Sequence, residues 1–468
     1  MTPPTPSKTA PGPQELLPVY QELLPPAVIQ ELVKASDQRF YERLLPPLVL
    51  VWGWLYQRLH SDHTCDAAVS YLRSGAADHL DRRHAQPLSQ RIQSESTAAY
   101  CKGRKRLPLA VLQGALRHTA QVIRRWRGAD GLWLGHPVGL LDGTTHLLRP
   151  EPELVAHYGR HQNQHGETYW VVMRTVAVFC LTTGALLGLV DGSLRTSEQA
   201  LAAQVLALAV ADSVYVGDCN FGVFSVAQAA RHYGVWVVLR LSQRRARALA
   251  GRRLRPGEDL SVQWAPSARD QVHPAMSTAP ITGRLIYVRL ERDGFRPVEI
   301  YLFTTLVDQE RYALAAVVEL YGWRWHVELD LRYVKDTLDL AVLTSKTVAM
   351  VRKDLAAGLL AYNLIRGFMV QAAQRAHCAP LTLSFTRCWR RVCDVLITLG
   401  LSAAAPQVRH QIERLVVRLG QCTLPARARF RIEPRAVRRR PAVYPNLKGS
   451  RAAARQRVLE QLRAPAKC

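Results

Sequence analysis

Residues 138–145 read Val-Gly-Leu-Leu-Asp142-Gly-Thr-Thr, and residues 213–218 read Ser-Val-Tyr-Val-Gly-Asp218. Each is a short apolar run of strand length that gives way to an aspartate and a turn residue. Between them, Trp170–Leu181 and Ala185–Val190 flank the Thr-Thr-Gly turn at 182–184 and read as a hairpin. Gln199–Val210, built almost wholly of alanine, leucine and valine, has the length of a helix. Ser225–His232 reads as a second helix closed by Gly234, and Trp236–Leu241 as another strand. Three strands, a helix, a strand, a helix and a strand predict an α/β fold with a mixed central sheet flanked by helices. In open sheets of this kind, groups at strand carboxyl ends converge on a crevice. Asp142 and Asp218 are therefore candidates for one site, although Asp-Gly at a strand end is more often plain turn chemistry.

Outward from this centre the pattern changes on both sides. Residues 1–13, MTPPTPSKTAPGP, form a Pro-rich tail expected to be disordered, with no charged-then-apolar leader. Residues 14–130 read as a helical domain, with apolar positions at three- and four-residue steps through Phe40–Leu59 and Leu107–Ile123. Pro26, Pro46 and Pro47 divide its early part into short helices. Its second half carries Lys102, Arg104, Lys105, Arg106, Arg117, Arg124, Arg125 and Arg127, the face expected to meet DNA. After the first half of the core (131–242) comes a strongly basic stretch with Arg244 and Arg245. It leads into strand-like runs at Leu260–Trp264, Ile281–Leu290 and Val298–Thr305. These mark 243–307 as a β-strand insertion. Helical periodicity returns over 308–420, the second half of the core. Residues 421–468 form a basic tail, with thirteen basic residues against two acidic ones from Thr423 on.

Whole-chain composition narrows the class. The chain has 468 residues, room for about three domains of roughly 150 residues. Hydrophobic residues make up 48% and charged residues 21%, which excludes wholesale disorder and fibrous repeats. Lys and Arg total 62 against 37 Asp and Glu, a net charge of +25, and that surplus points to a polyanion as partner. The apolar stretches Leu44–Leu55, Trp170–Val190 and Ala200–Ala211 are too short or too interrupted to span a bilayer, so no membrane partner is expected. Nine scattered cysteines without a CxxC pair indicate neither a disulfide framework nor a Cys-based zinc site. A reducing cytoplasm fits, with the protein on the nucleoid of a prokaryote-type cell.

The sharpest motif lies at Tyr321-Gly-Trp-Arg324-Trp-His-Val-Glu328, followed by Lys335. In one continuous helix, at about 100° per residue, these four side chains fall within roughly 60° of one another. An aromatic, two cations and a carboxylate do not make a core stripe. The plain alternative is an exposed face with an Arg324–Glu328 pair worth a few tenths of a kcal/mol. The spacing resembles the Y-R-E-K signature of DDE-class insertion-sequence transposases, the cut-and-paste group, without departure. The surroundings are similar too: Leu302-Phe-Thr-Thr305 before it, Leu360-Ala-Tyr-Asn-Leu-Ile-Arg366 after it, Asp142-Gly-Thr-Thr upstream, and Gly217-Asp218. The resemblance runs from about Thr97 to about Tyr444. One departure is visible: Cys219 stands where an arginine commonly follows the second aspartate.

The resemblance implies an RNase H-like core interrupted by the β-strand insertion, with Asp142, Asp218 and Glu328 as catalytic and metal-holding carboxylates. Elementary electrostatics is consistent. Two carboxylates about 4 Å apart repel by roughly 4 kcal/mol at an effective dielectric of about 20. Three that converge need cations, and hard oxygen ligands select Mg²⁺ or Mn²⁺. Two such ions can serve an in-line phosphoryl displacement. Tyr321, Arg324 and Lys335 are expected beside the scissile phosphate, with further DNA contacts from Arg240, Arg244, Arg245, Lys102, Arg104 and Lys105. Trp264 and Tyr301 are the candidates in the insertion to stack on a flipped base, whereas Trp323 and Trp325 read better as packing residues. His157, His161 and His165 have the spacing of helical zinc ligands, but Gly159 and Gly166 make the segment loop-like. The expected partner is double-stranded DNA, both terminal inverted repeats and target, bound by a homodimer. A DNA-binding relic without catalysis, acting as a repressor, and a nuclease that cuts without joining are the alternatives.

Overall fold

The sheet is registered on one long strand, β1, Val138–Leu148. The computed structural model describes residues 23–36, 44–81, 84–163, 166–268, 270, 272–291, 297–399, 405–425 and 449–463. The Pro-rich tail at 1–13, His165 and most of the arginine tail lie outside these residues. β2 (Arg160–Asn163) pairs antiparallel with β3 (Gly166–Cys180), and β4 (Leu186–Ser193) pairs antiparallel with β3 as well. β3 lies antiparallel on β1 over ten residues, from Gly139↔Cys180 to Leu148↔Val171. On its other side β1 runs parallel to β5 (Val214–Gly217), which in turn runs parallel to β6 (Trp236–Leu241). Antiparallel strands followed by two parallel ones, with helices on the faces, form a mixed α/β core.

The sequence explains the parallel half. All four residues of β5 are buried, which is how a strand covered on both faces reads. The chain returns through the helix Phe224–His232, whose Phe224, Val226, Ala227 and Ala230 are all buried. On the same face the helix Glu198–Leu206 packs Leu201, Val205 and Leu206 against Leu141, Val176 and Val178 of the sheet.

Two expected elements differ. β1 does not end at Asp142 but continues to Leu148, because β3 pairs with it beyond the point where β5 stops. The helix expected over 308–340 is broken. It runs as an α-helix over Leu314–Gly322, tightens to a 3₁₀ turn at Trp323–Trp325, resumes over His326–Arg332 and widens to a π-turn at Tyr333–Thr337. A π-turn departs from the 3.6-residue period, so Lys335 does not follow the α-helical projection.

The strands of the insertion join the central sheet. β9 (Val298–Thr304) lies antiparallel on β6, from Val238↔Thr304 to Leu241↔Tyr301, and β7 (Asp259–Trp264) lies antiparallel on β8 (Ile281–Leu290). The resulting order is β2-β3-β1-β5-β6-β9-β8-β7.

Behind the sheet stands the long helix Val348–Arg375, capped by Thr347, whose hydroxyl accepts from the Met350 N–H. By length and composition it could cross a membrane, and the apolar stretches picked out from sequence did not include it. Here 94% of its apolar window is buried inside the protein, as in a core helix. It packs against the N-terminal helices Pro47–Leu59 and Leu109–Arg127 and against the helix Ala405–Gly420. The segments 23–288 and 300–431 form one compact unit; Arg289–Glu299 and Ile432–Cys468 fall in a second, whose described part includes the helix Arg451–Arg463.

Candidate active site

The pairing of β1 and β5 places two aspartates side by side. Leu141 is paired with Gly217, the last parallel partners of the two strands, so Asp142 and Asp218 are the next residue on each. β5 ends there in an Asx turn: the Asp218 Oδ1 accepts the Asn220 backbone N–H at 2.9 Å. The Asp142 Oδ1 accepts the N–H of its neighbour Gly143 at 2.8 Å. The third carboxylate comes from the broken helix, whose His326–Arg332 turn packs on β1 and β3. Arg324, in the 3₁₀ turn, joins the two sides. Its Nη2 donates to the Glu328 Oε1 at 2.8 Å, and its Nη1 lies 3.8 Å from the Asp142 Oδ2.

Charge at this point is unbalanced. Burial raises the Asp142 carboxyl to about 6; the Gly143 N–H and Arg324 oppose the rise, and Asp218 and Glu328 add to it. Burial works against the Arg324 charge, yet Tyr321, Glu328 and Asp142 outweigh it and hold the guanidinium more firmly protonated than usual. One arginine thus serves two carboxylates while a third stands beside them.

The helix bearing Glu328 is anchored from below. Asp330, two residues on, is buried and accepts from Arg366 and from the Tyr362 hydroxyl, both on the long core helix. Tyr362 donates also to the Gly184 carbonyl, which ties the anchor to the β3–β4 turn.

The family model for the transposase DDE domain matches residues 133–364, the span that holds Asp142, Asp218, Arg324 and Glu328. The transposase InsG for insertion sequence element IS4 of Escherichia coli (strain K12) is 29% identical over 359 residues, 72% of this chain and 78% of that protein. This chain carries a transposase DDE domain of the insertion-sequence kind. Its reaction is DNA transposition, a phosphoryl transfer in which DNA strands are cut and joined, and enzymes of this class use divalent metal ions. Among solved structures, a piggyBac transposase in a synaptic complex with hairpin DNA shares 10% identity, with a TM-score of 0.41 over 88% of this chain and 87% of that one, a loose likeness.

The other expected residues of the transposase divide into those near the triad and those drawn elsewhere. Tyr321 is buried (6% exposed), its hydroxyl shared with the Arg240 side chain; burial raises its pKa, and Arg324 and Arg240 oppose the rise. Lys335, in the π-turn, is close enough for its charge to act on His146 of β1. Burial first, then Lys335, hold that imidazole down at about 4, so it is neutral at pH 7. The His146 Nδ1 meets the Leu340 carbonyl at 2.6 Å. Arg244, on the helix Gln243–Ala250, is exposed. Arg245 on the same helix is committed to the protein, donating to the Gly222 carbonyl at 2.5 Å and lying 3.8 Å from Asp270.

Three expectations are corrected, those for Arg104, Trp264 and Tyr301. Arg104 is not at the surface. It is 6% exposed, paired with Asp354 at 2.5 Å and stacked 4.3 Å from the Trp54 ring, while Lys102 and Lys105 beside it are exposed. Trp264 is not free to stack on a base, because it packs edge-on against Phe224 and Phe303 within the core. Tyr301 is likewise taken up, stacked on Tyr287 at 4.4 Å. His157 and His161 do not share a helix: His157 lies in the last turn of the helix Pro152–Tyr158 and meets Arg352 at 3.2 Å, whereas His161 lies in β2. Trp323 and Trp325 are half-buried, with His326 edge-on to both at 5.2 and 4.9 Å.

Sequence reasoning missed Glu198, Gln199 and Asn220, which surround the Asp218 turn. Only Asn220, two residues after an aspartate at a strand end, carried a signal that could have found it.

Proposed function

We propose that Asp142, Asp218 and Glu328 are the catalytic carboxylates, and that the transposase performs cut-and-paste transposition. It would hydrolyse the phosphodiester at the terminal inverted repeats of its element and transfer the freed 3′-hydroxyl into target DNA, working as a homodimer on DNA. The setting is the cytoplasm of a prokaryotic cell, on the nucleoid. The observation that carries this reading is the register Leu141↔Gly217, which sets the two aspartates side by side, with Arg324 linking Asp142 to Glu328.

Among the described residues, no three His, Cys, Asp or Glu side chains are gathered closely enough to enclose an ion as placed. The donor chemistry nevertheless fits a hard divalent cation, since the three carboxylates supply only oxygens. Arg324 is the guanidinium paired with Asp142 and Glu328, and at Asp142 it does not offset the rise that burial causes and that Asp218 and Glu328 add to. Asp142, Asp218 and Glu328 would hold Mg²⁺ or Mn²⁺, two ions. Bound there, the ions would supply Lewis-acid stabilisation of the attacking and leaving oxygens. The rest falls to the chain. The Gly143 and Asn220 backbone N–H groups orient the two aspartates, and the Asp330–Arg366 pair fixes the helix that presents Glu328. Arg324 and Lys335 are the cations beside the site able to hold a phosphate, Arg324 through two parallel N–H bonds.

The test is cleavage of a plasmid carrying the DNA that flanks the gene, with Mg²⁺, by wild type and by Glu328→Ala. Breaks at the element ends that vanish in the variant are the expected result, followed by joining of the 3′ ends when target DNA is present. Equal cleavage by both proteins would remove Glu328 from the mechanism. Tight binding of the ends with no cleavage by wild type would instead mark a DNA-binding relic.

A further inference from the structure

A fourth carboxylate stands behind the triad. Glu198 is the first residue of its helix, which is capped by Ser197, whose hydroxyl accepts from the Ala200 N–H at 3.2 Å. Its carboxylate lies directly over Gly143. A Cβ built on Gly143 would sit 2.6 Å from the Glu198 Cδ and 2.8 Å from both of its oxygens, so any side chain there would displace the carboxylate. The Glu198 Oε2 accepts from the Asn220 side-chain amide. Gln199, next along the helix, donates to the Asn220 carbonyl at 2.9 Å and to its side-chain oxygen at 2.7 Å. The same carboxylate thus touches the residue whose N–H holds Asp142 and the residue whose N–H holds Asp218.

Opposite stands Arg174 of β3. Its Nη1 donates to the Thr196 carbonyl at 2.7 Å, while its Nε, 3.9 Å from the Glu198 Oε1, is buried and has no hydrogen-bond partner among the described residues. Glu198 is therefore drawn towards Asn220 rather than into a close pair with Arg174.

We propose that Glu198 is a positioning residue of the transposase. By bridging Gly143 and Asn220 it sets the spacing of Asp142 and Asp218, and through that spacing the affinity of the aspartate pair for a divalent cation. The inference rests on the reading of Asp142 and Asp218 as the ion-holding pair. Losing an outer-shell partner of this kind typically weakens metal binding by about 10–100-fold.

The experiment is a Mn²⁺ titration of the full-length protein followed by electron paramagnetic resonance of the free ion. Binding of terminal-repeat DNA without metal and thermal melting are measured alongside. Glu198→Ala should weaken Mn²⁺ binding by about tenfold or more, with metal-free DNA binding and melting close to wild type. Glu198→Gln keeps an oxygen for the Asn220 amide and should bind Mn²⁺ within about threefold of wild type. Mn²⁺ binding by Glu198→Ala equal to wild type would overturn the proposal. So would a Glu198→Gln protein as impaired as Glu198→Ala, or loss of melting temperature and DNA binding in step with metal. Asp142→Asn is run beside them: if it binds Mn²⁺ as well as wild type, the reading of the aspartate pair itself fails. If it does not, a normal Glu198→Ala removes Glu198 alone.

Discussion

Two aspartates of this chain, both withdrawn from water, titrate in opposite directions. Asp354, 4% exposed on the core helix, accepts from Arg58, Arg104, the Trp54 indole and the Ser345 hydroxyl. Burial pushes its carboxyl up, but the two guanidiniums and the hydroxyl more than reverse that, and its pKa falls below the ordinary value. Asp142, whose side chain is 19% exposed, has one backbone N–H and part of one arginine, with two further carboxylates in range, and its pKa rises to about 6. Burial raises both carboxyls; at Asp354 two arginines and a hydroxyl more than reverse the rise, whereas at Asp142 one shared arginine and one N–H do not. At Asp354 the fold provides two arginines for one aspartate. At the site, one arginine serves several acids, and charge that the protein leaves unbalanced is available for something else to balance.

The largest expected effect is on chemistry. Asp142→Asn or Glu328→Ala should lower metal-dependent cleavage of element ends by about a thousandfold or more, the rate equivalent of roughly 4 kcal/mol. Retained cleavage would break the comparison at once. At Asp354, Arg104→Ala leaves a buried carboxylate short of a partner and should cost about 3–5 kcal/mol in urea unfolding. A cost near zero would show Asp354 adequately served by Arg58 alone.

A third prediction concerns stability against pH. Because the folded-state pKa of Asp142 lies above 3.8, the ionised form costs stability above pH 6, and the cost fades as pH falls towards 4. Asp142→Asn should therefore be more stable than wild type at pH 8, by about 1–3 kcal/mol, with the gap closing below about pH 4. Asp354 has the opposite sign: its pairs contribute stability above the ordinary carboxylate pKa, and that contribution is lost as the carboxylate protonates in acid. Smallest is the effect of neighbouring surface charge. If each lysine neutralises one DNA phosphate, Lys102→Ala and Lys105→Ala should each reduce the slope of log affinity against log salt by about 0.9. A change from either equal to that of Arg104→Ala would blur the division between surface and core.

Much of this was legible in the residues. Short apolar runs bounded by turn residues located β1, the β3–β4 hairpin, β5 and β6, and the Tyr-Arg-Glu-Lys spacing located the helical segment of Arg324 and Glu328, though as one continuous helix and not with its 3₁₀ break. What escaped depends on neighbours far away in sequence. Arg104 sits in a basic run, and nothing local distinguishes it from Lys102 and Lys105; its partner Asp354 is 250 residues on. Trp264 and Tyr301 look available in isolation and are claimed by Phe303 and Tyr287 once the inserted strands are joined to β6. Glu198 offered no pattern, since its meaning comes from a space that Gly143 leaves and an amide on another loop. The π-turn at Tyr333–Thr337 has no composition of its own.

The long helix Val348–Arg375 bears on how the protein could be divided. One element contacts the N-terminal helices through Asp354, the β4 strand through Asn363 and the Glu328 helix through Arg366. A cut near residue 130 would leave that helix with an uncovered apolar flank and Asp354 without either arginine. The N-terminal helices and the DDE domain are thus not interchangeable cassettes: fragments exchanged between relatives should function only when the helix and its three sets of contacts travel together.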